Sequence, residues 1–381
     1  MAYFDNAATT YPKPATVYDF MDKFYREAGA NAGRGNYGIA QGAGRLIAET
    51  RDLIKDLFHC PAKQVIFTST ATVALNMILQ GLIKFGVKRI YISPFEHNAV
   101  TRTLHAFEND GVIQVSELAV STDLHYDLER IKYQFDNNRP DLVIVSHASN
   151  VIGLVAPIDD IFALAKEYRS FTVADMSQSA GLVDCNIGLS TFDFAVFAGH
   201  KTLYGPTGIS GFVMNPEIKL PTVLYGGTGT ESANQDMPDS SPERFEMGTL
   251  NISGIAGLNA ALRWNKEVGI VEIARKEAEN RDKLISILQK YDWLKLVGVV
   301  PGNRYVGIVS CLMSGISSDS AGTIFNEQGI AVRTGLQCAP LAHKFLNTFP
   351  AGTIRFSVSY FTSDEDFAEL KEALEYIEGE M

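Results

Sequence analysis

The chain has little of what several common protein classes require. Only four cysteines occur in 381 residues (Cys60, Cys185, Cys311 and Cys338), with no C-x-x-C pair and no metal-ligand spacing. That speaks against a disulfide framework or a structural zinc, and no metal is expected. No apolar run is long enough to cross a bilayer. The stretch from Met1 to Asn6 lacks a basic segment and an apolar signal core, so nothing points to export, and the expected compartment is the reducing cytoplasm. Positive charge is short: 33 Lys and Arg against 44 Asp and Glu give a formal charge of −11. Non-specific nucleic-acid binding needs the opposite balance, so no nucleic-acid partner is expected. There is no internal repeat and no low-complexity tail. A G-x-G-x-x-G between a first strand and a helix is also missing, which leaves a dinucleotide fold with little support.

What remains is an ordinary globular composition, 46% hydrophobic and 20% charged, in a chain long enough for two domains. From about residue 65 to 215, short apolar runs alternate with helical stretches. Val65–Thr68, Arg89–Ile92, Leu142–Val145, Phe171–Ala174 and Phe194–Phe197 read as strands, Thr72–Leu82 and Ile158–Tyr168 as helices. Strands this apolar imply a mostly parallel sheet covered on both faces, with ligands collecting beyond the strands' carboxyl ends. Residues 228–249, rich in Gly, Ser, Pro and Asp, read as a long loop of functional or interface use. A helix over Val271–Tyr291 then leads into a smaller α+β block. Its expected strands are Leu294–Val299, Val306–Cys311, Ile330–Arg333 and Thr353–Ser359, and a terminal helix follows over Ser363–Ile377.

Two strand ends carry chemistry. The run Asp193–Ala198 leads straight into Gly199-His200-Lys201 and a Gly/Pro turn, and Val173-Ala174 ends in Asp175. A lysine at one strand end and an aspartate at another is what a pyridoxal phosphate (PLP) enzyme needs: the amine forms the Schiff base and the acid keeps the pyridine nitrogen protonated. Taken singly, Lys201 reads equally as a surface lysine and Asp175 as a helix N-cap. Ser69-Thr70-Ala71-Thr72, between a strand and a helix, offers a phosphate cradle or a plain N-cap. Arg355 lies inside an apolar strand and needs a partner, either an internal acid or a substrate carboxylate held bidentately. Cys338 sits in a small turn-prone loop, as a reactive thiol or a buried apolar group.

A set of ordered segments carries a resemblance across nearly the whole chain. They are Tyr3-Phe4-Asp5-Asn6-Ala7-Ala8-Thr9-Thr10, Phe67-Thr68-Ser69-Thr70-Ala71-Thr72, Glu96-His97-Asn98-Ala99, Ser149-Asn150-Val151-Ile152-Gly153, Asp175-Met176-Ser177-Gln178-Ser179, Gly199-His200-Lys201, Arg244–Thr249 and Arg333–Leu341. On these the chain resembles the class V aminotransferases of PLP fold type I, in the cysteine desulfurase and selenocysteine lyase branch. The resemblance implies an α/β fold, with a large domain (15–255) holding a mostly parallel seven-stranded sheet between helices. A smaller α+β domain (1–14 and 256–381) would carry the substrate arginine and the cysteine loop.

By the same resemblance, Lys201, Cys338 and His97 are catalytic. Lys201 would bind the PLP aldehyde, Asp175 would pair with the ring nitrogen and Gln178 would contact the phenolate oxygen. His97 would stack on the ring, and Ala71, Thr72 and His200 would hold the phosphate. Asn150, Arg355, Arg333 and Ala8 would face the substrate. Thr249, with residues 226–230, would reach the phosphate of a second subunit, implying a homodimer. Three positions depart from the commoner pattern: Ala198 stands where relatives place a phosphate-binding serine, Thr70 replaces a glycine and Leu250 a proline. One phosphate hydrogen bond is therefore expected to be missing or supplied elsewhere. The implied reaction converts L-cysteine to L-alanine, with the sulfur carried as a Cys338 persulfide to an acceptor protein or small thiol from a short, ordered loop. Rival readings are a selenocysteine lyase or C–S β-lyase that does not need Cys338, a true aminotransferase, and a non-catalytic scaffold.

Overall fold

The structure is a computed structural model that describes residues 1–30 and 37–380. In chain order it begins with β1 (Ala2–Tyr3), α1 (Ala15–Ala28), α2 (Gly38–Leu57), β2 (Gln64–Thr68), α3 (Ala71–Phe85), β3 (Arg89–Ile92), α4 (Asn98–Asn109) and β4 (Gln114–Glu117). There follow α5 (Leu128–Asn137), β5 (Leu142–Ser146), α6 (Ile158–Glu167), β6 (Phe171–Asp175), β7 (Phe194–Ala198), β8 (Ser210–Met214), α7 (Ile252–Val268) and α8 (Ile270–Leu288). The last elements are β9 (Leu294–Val297), β10 (Ile308–Met313), α9 (Ser318–Glu327), β11 (Ile330–Ala331), β12 (Arg333–Gly335), α10 (Pro340–Phe345), β13 (Thr353–Ser357) and α11 (Asp364–Glu380). Among the described residues, no helix is long and apolar enough to cross a membrane.

The large sheet has seven strands in the order β2-β8-β7-β6-β5-β3-β4. Strands β3 to β7 pair in parallel, whereas β8 runs antiparallel to both β2 and β7. Since β8 opposes both neighbours, β2 points the same way as β7, and the carboxyl ends of β2, β3, β5, β6 and β7 share one edge. Alternation along each strand divides the core. Val143 and Val145 face a cluster with α2, α5, α6 and α7, while Leu142 and Ile144 face a second cluster with α3 and α4. Each such aliphatic side chain contributes about 1.5–3 kcal/mol when fully buried, which is why the strands read as continuous apolar runs.

A four-stranded antiparallel sheet, β12-β13-β10-β9, packs under α8, α9 and α11 through Leu284, Phe325, Phe367 and Leu374. The expected strand over Ile330–Arg333 is divided: β11 pairs with β1, and after Val332 the chain turns to pair β12 with β13. The first ten residues stitch the two large sheets together. The Asn6 amide donates to the Ser357 carbonyl at 2.9 Å, the Ala7 N–H to Ser357 Oγ at 2.8 Å, and the Thr10 N–H to the His200 carbonyl at 3.1 Å.

Candidate active site

The shared strand edge opens into a pocket of about 220 Å³. Each strand delivers its side chain by running out of apolar residues. β2 ends at Thr68, and Thr70 caps α3 by accepting the Val73 N–H at 3.2 Å, which sets Ala71 and Thr72 at the helix start. His97 caps α4 in the same way, its Nδ1 accepting the Ala99 N–H at 3.0 Å. In the neutral ring the proton is thereby assigned to Nε2. β5 ends at Ser146, register-paired with Asp175 at the end of β6, and β7 ends at Ala198 before His200 and Lys201. The pocket lining brings together Ala71, Thr72, His97, Asn150, Asp175, Gln178, His200 and Lys201, along with Thr70, Ala198, Ser146 and Ser177.

The electrostatics single out Lys201. Burial pushes its amine down to about 8, against the pull of Asp175, and the positive charges of Arg355 and Arg333 push the same way as burial. Asp175 is buried, and its Oδ1 accepts both the Ser177 N–H (2.9 Å) and the Ser177 hydroxyl (2.5 Å). Burial, then Lys201, lowers His97 from its ordinary value, with Asp175 opposing. Burial pushes His200 to about 4, and its buried Nδ1 has no protein partner. Both imidazoles are therefore neutral near pH 7.

Of the expected substrate-side residues, Asn150 is in the lining of this pocket, whereas Arg355, Arg333 and Ala8 are not. Arg355 is 2% exposed. Its Nη2 donates to Asp5 Oδ1 at 2.8 Å and Nη1 to the Asn150 carbonyl at 2.9 Å, while Nε is buried without a partner. Arg333 is register-paired with Arg355 and exposed. Ala8 does not line the pocket, although the Gln178 amide donates to the carbonyl of its neighbour Ala7 at 2.9 Å. Thr249 lies outside it as well, in a separate hollow of about 520 Å³ lined by residues 227–230.

The Cys338 loop docks against the pocket. The Asn150 amide donates to the Gln337 carbonyl at 2.6 Å, and the Asn98 N–H to the Cys338 carbonyl at 2.7 Å. Cys338 is partly exposed, and a thiolate there would attract both the Lys201 amine and the Arg355 guanidinium. Cys60, Cys185 and Cys311 are buried, with burial pushing their thiols up to about 11, 12 and 12.

Sequence reasoning missed Asp5, the partner of Arg355 from 350 residues away. It also gave no role to Glu96, which is fully buried beneath the pocket. Glu96 Oε1 accepts the Ser93 hydroxyl and the Ser146 N–H, both at 2.6 Å, and Oε2 lies 2.8 Å from Ser146 Oγ. The signal available was a carboxylate directly before His97, at the end of an apolar strand.

Comparison with known proteins fits this geometry. Residues 2–370 match the aminotransferase class-V family. A probable cysteine desulfurase of Xylella fastidiosa is 32% identical, with 98% of this chain and 90% of that protein covered. One from Methanothermobacter thermautotrophicus is 30% identical over 99% and 94%. Among solved structures, the apo cysteine desulfurase of Thermococcus onnurineus superposes with a TM-score of 0.89 at 27% identity, covering 100% of this chain and 95% of that one. On a match that runs almost end to end, together with its strand-edge lysine and aspartate, the chain belongs to the class V aminotransferase family.

Proposed function

We propose that this chain is a PLP-dependent cysteine desulfurase that moves the sulfur of L-cysteine onto Cys338 and releases L-alanine. The observation that carries it is one pocket lined by both Lys201 and a buried Asp175 carboxylate, with a partly exposed thiol on a loop tied to its rim.

The residues present fit the cofactor. Lys201 would attach it, Asp175 would face its ring nitrogen and His97 its ring. His200 Nδ1 is a buried polar atom without a partner among the described residues, and His200 shares the lining with Ala71 and Thr72, which open α3. The hydroxyls of Thr70 and Ser177 share the lining with Ala198 and stand near the place where a serine is absent. When bound, PLP supplies an electron sink for the charge left on the substrate α-carbon.

The chain's own residues do the rest. Arg355 takes the substrate carboxylate by exchanging it for Asp5 and using its free Nε, with Arg333 adding positive charge nearby. With its pKa lowered to about 8, a far larger fraction of the Lys201 amine is unprotonated near neutral pH than for an ordinary lysine, so it serves as base for the α-proton. The Cys338 thiolate bonds to the substrate sulfur as the carbon–sulfur bond breaks, the β-carbon takes a proton from His97 Nε2–H, and Lys201 returns its proton to the α-carbon. Cysteine plus thiol thus becomes alanine plus persulfide, with no external oxidant. The persulfide then passes to an acceptor thiol or protein. Free Cys338 suits a reducing cytoplasm. The separate hollow with Thr249 and residues 227–230 supports a homodimer in which this segment serves a second copy.

The test is single-turnover incubation with L-cysteine followed by mass analysis. One added sulfur on Cys338 and one alanine per site are expected. Sustained alanine production by Cys338→Ala would overturn the proposal.

A further inference from the structure

The backbone around the thiol is strained in a way that a second, unassigned group explains. Gln337 and Cys338 have φ values of 42° and 58°, two consecutive non-glycine residues in the left-handed region. Such a pair persists only where its surroundings over-determine it. The carbonyls of both residues are tied to the large sheet's loops by Asn150 and Asn98. The Gln337 side chain is tied elsewhere: its amide nitrogen donates to the Thr353 carbonyl at 3.0 Å, so its amide oxygen turns to His343 Nε2 at 2.7 Å. His343 is 0% exposed on α10, and its Nδ1 lies 2.7 Å from Thr348 Oγ1. Because an amide oxygen only accepts, Nε2 carries the ring proton and Nδ1 accepts the Thr348 hydroxyl. Nε2–H thus holds the Gln337 amide oxygen, which also accepts from Thr353 Oγ1 at 3.3 Å, while the Thr348 hydroxyl on Nδ1 fixes the ring.

We infer that His343 is a positioning residue for sulfur transfer: it clamps the Gln337 side chain, and through it the left-handed turn that presents the Cys338 sulfur to the Lys201 pocket. This rests on the reading of Cys338 as the sulfur acceptor. Burial pushes the His343 ring down to about 4, so the clamp is a neutral hydrogen-bond relay at working pH. His343 contacts neither the pocket lining nor Arg355, so it has no direct part in holding substrate.

The test uses two readouts, one of them independent of cofactor and turnover. The other three cysteines are buried, so iodoacetamide reports on Cys338. In His343→Ala the alkylation rate should rise about tenfold and single-turnover persulfide formation should fall about tenfold, the scale of one lost buried hydrogen bond. KM for L-cysteine should stay at the wild-type value. His343→Gln, whose side-chain N–H reaches the position of Nε2–H, should restore both rates. Gln337→Ala removes the clamp from the loop side without hollowing the core around His343, and should reproduce the His343→Ala result. Wild-type alkylation in both alanine variants overturns the inference, and so does a His343→Gln variant as impaired as His343→Ala. If Cys338→Ala still makes alanine, the desulfurase reading fails while the alkylation rates still decide the clamp.

Discussion

Replacing Glu96 with glutamine should make the protein more stable at high pH and leave it unchanged at low pH. Burial raises the Glu96 carboxyl to about 7 from 4.5, against the opposing bonds from Ser93 and Ser146 and with Asp175 adding repulsion. Between those values the unfolded chain has released the proton while the folded chain keeps it. Stability therefore falls as pH rises from 4.5 to about 7, and the deficit is constant above that. The shift corresponds to about 3 kcal/mol. Glutamine imitates the protonated acid: its oxygen can accept from Ser93 and the Ser146 N–H as Oε1 does, and its amide can donate to Ser146 Oγ. Urea midpoints of both proteins at about pH 4 and pH 8, at equal cofactor loading, should show a gap near zero opening to about 3 kcal/mol in favour of Glu96→Gln. If the variant is instead less stable at pH 8, the three donors hold a carboxylate and the reasoning is wrong.

Two further outcomes follow from particular contacts. Arg355→Gln should raise KM for L-cysteine about 10- to 100-fold, the value of a lost charge-assisted contact, as read from initial rates; an unchanged KM would place the substrate carboxylate elsewhere. Thr70→Ala removes the cap on the Val73 N–H and should lower stability by about 1 kcal/mol in thermal unfolding, with no effect if that bond is idle.

The apolar parallel strands and the chemistry at their ends were legible because burial on two faces leaves a continuous signature. Val65–Thr68, Leu142–Val145 and Phe194–Phe197 were each found within a residue or two. Two strands of the same sheet were not. β4 is a polar edge strand, Gln-Val-Ser-Glu, with no buried run to betray it. β8 is fully buried but begins Ser-Gly after a Gly/Pro turn. Its Gly211 is needed because a side chain there would collide with the Ile66 carbonyl and the Phe197 ring. The segments quoted for the pocket converge because they all follow strands pointing one way. What escaped was pairing over distance: Asp5 with Arg355, and His343 with Gln337, where neither local pattern says which partner folding supplies.

The stitching of residues 2–10 onto Ser357, His200 and Arg355 also dictates an order of events during translation. Residues 2–10 leave the ribosome long before the strand around residue 355, whose emergence completes their docking groove. Until then the bonds of Asn6 and Ala7 to Ser357 and of Asp5 to Arg355 have no partner to form with, and only those of Thr9 and Thr10 to the His200 and Lys201 carbonyls can be made.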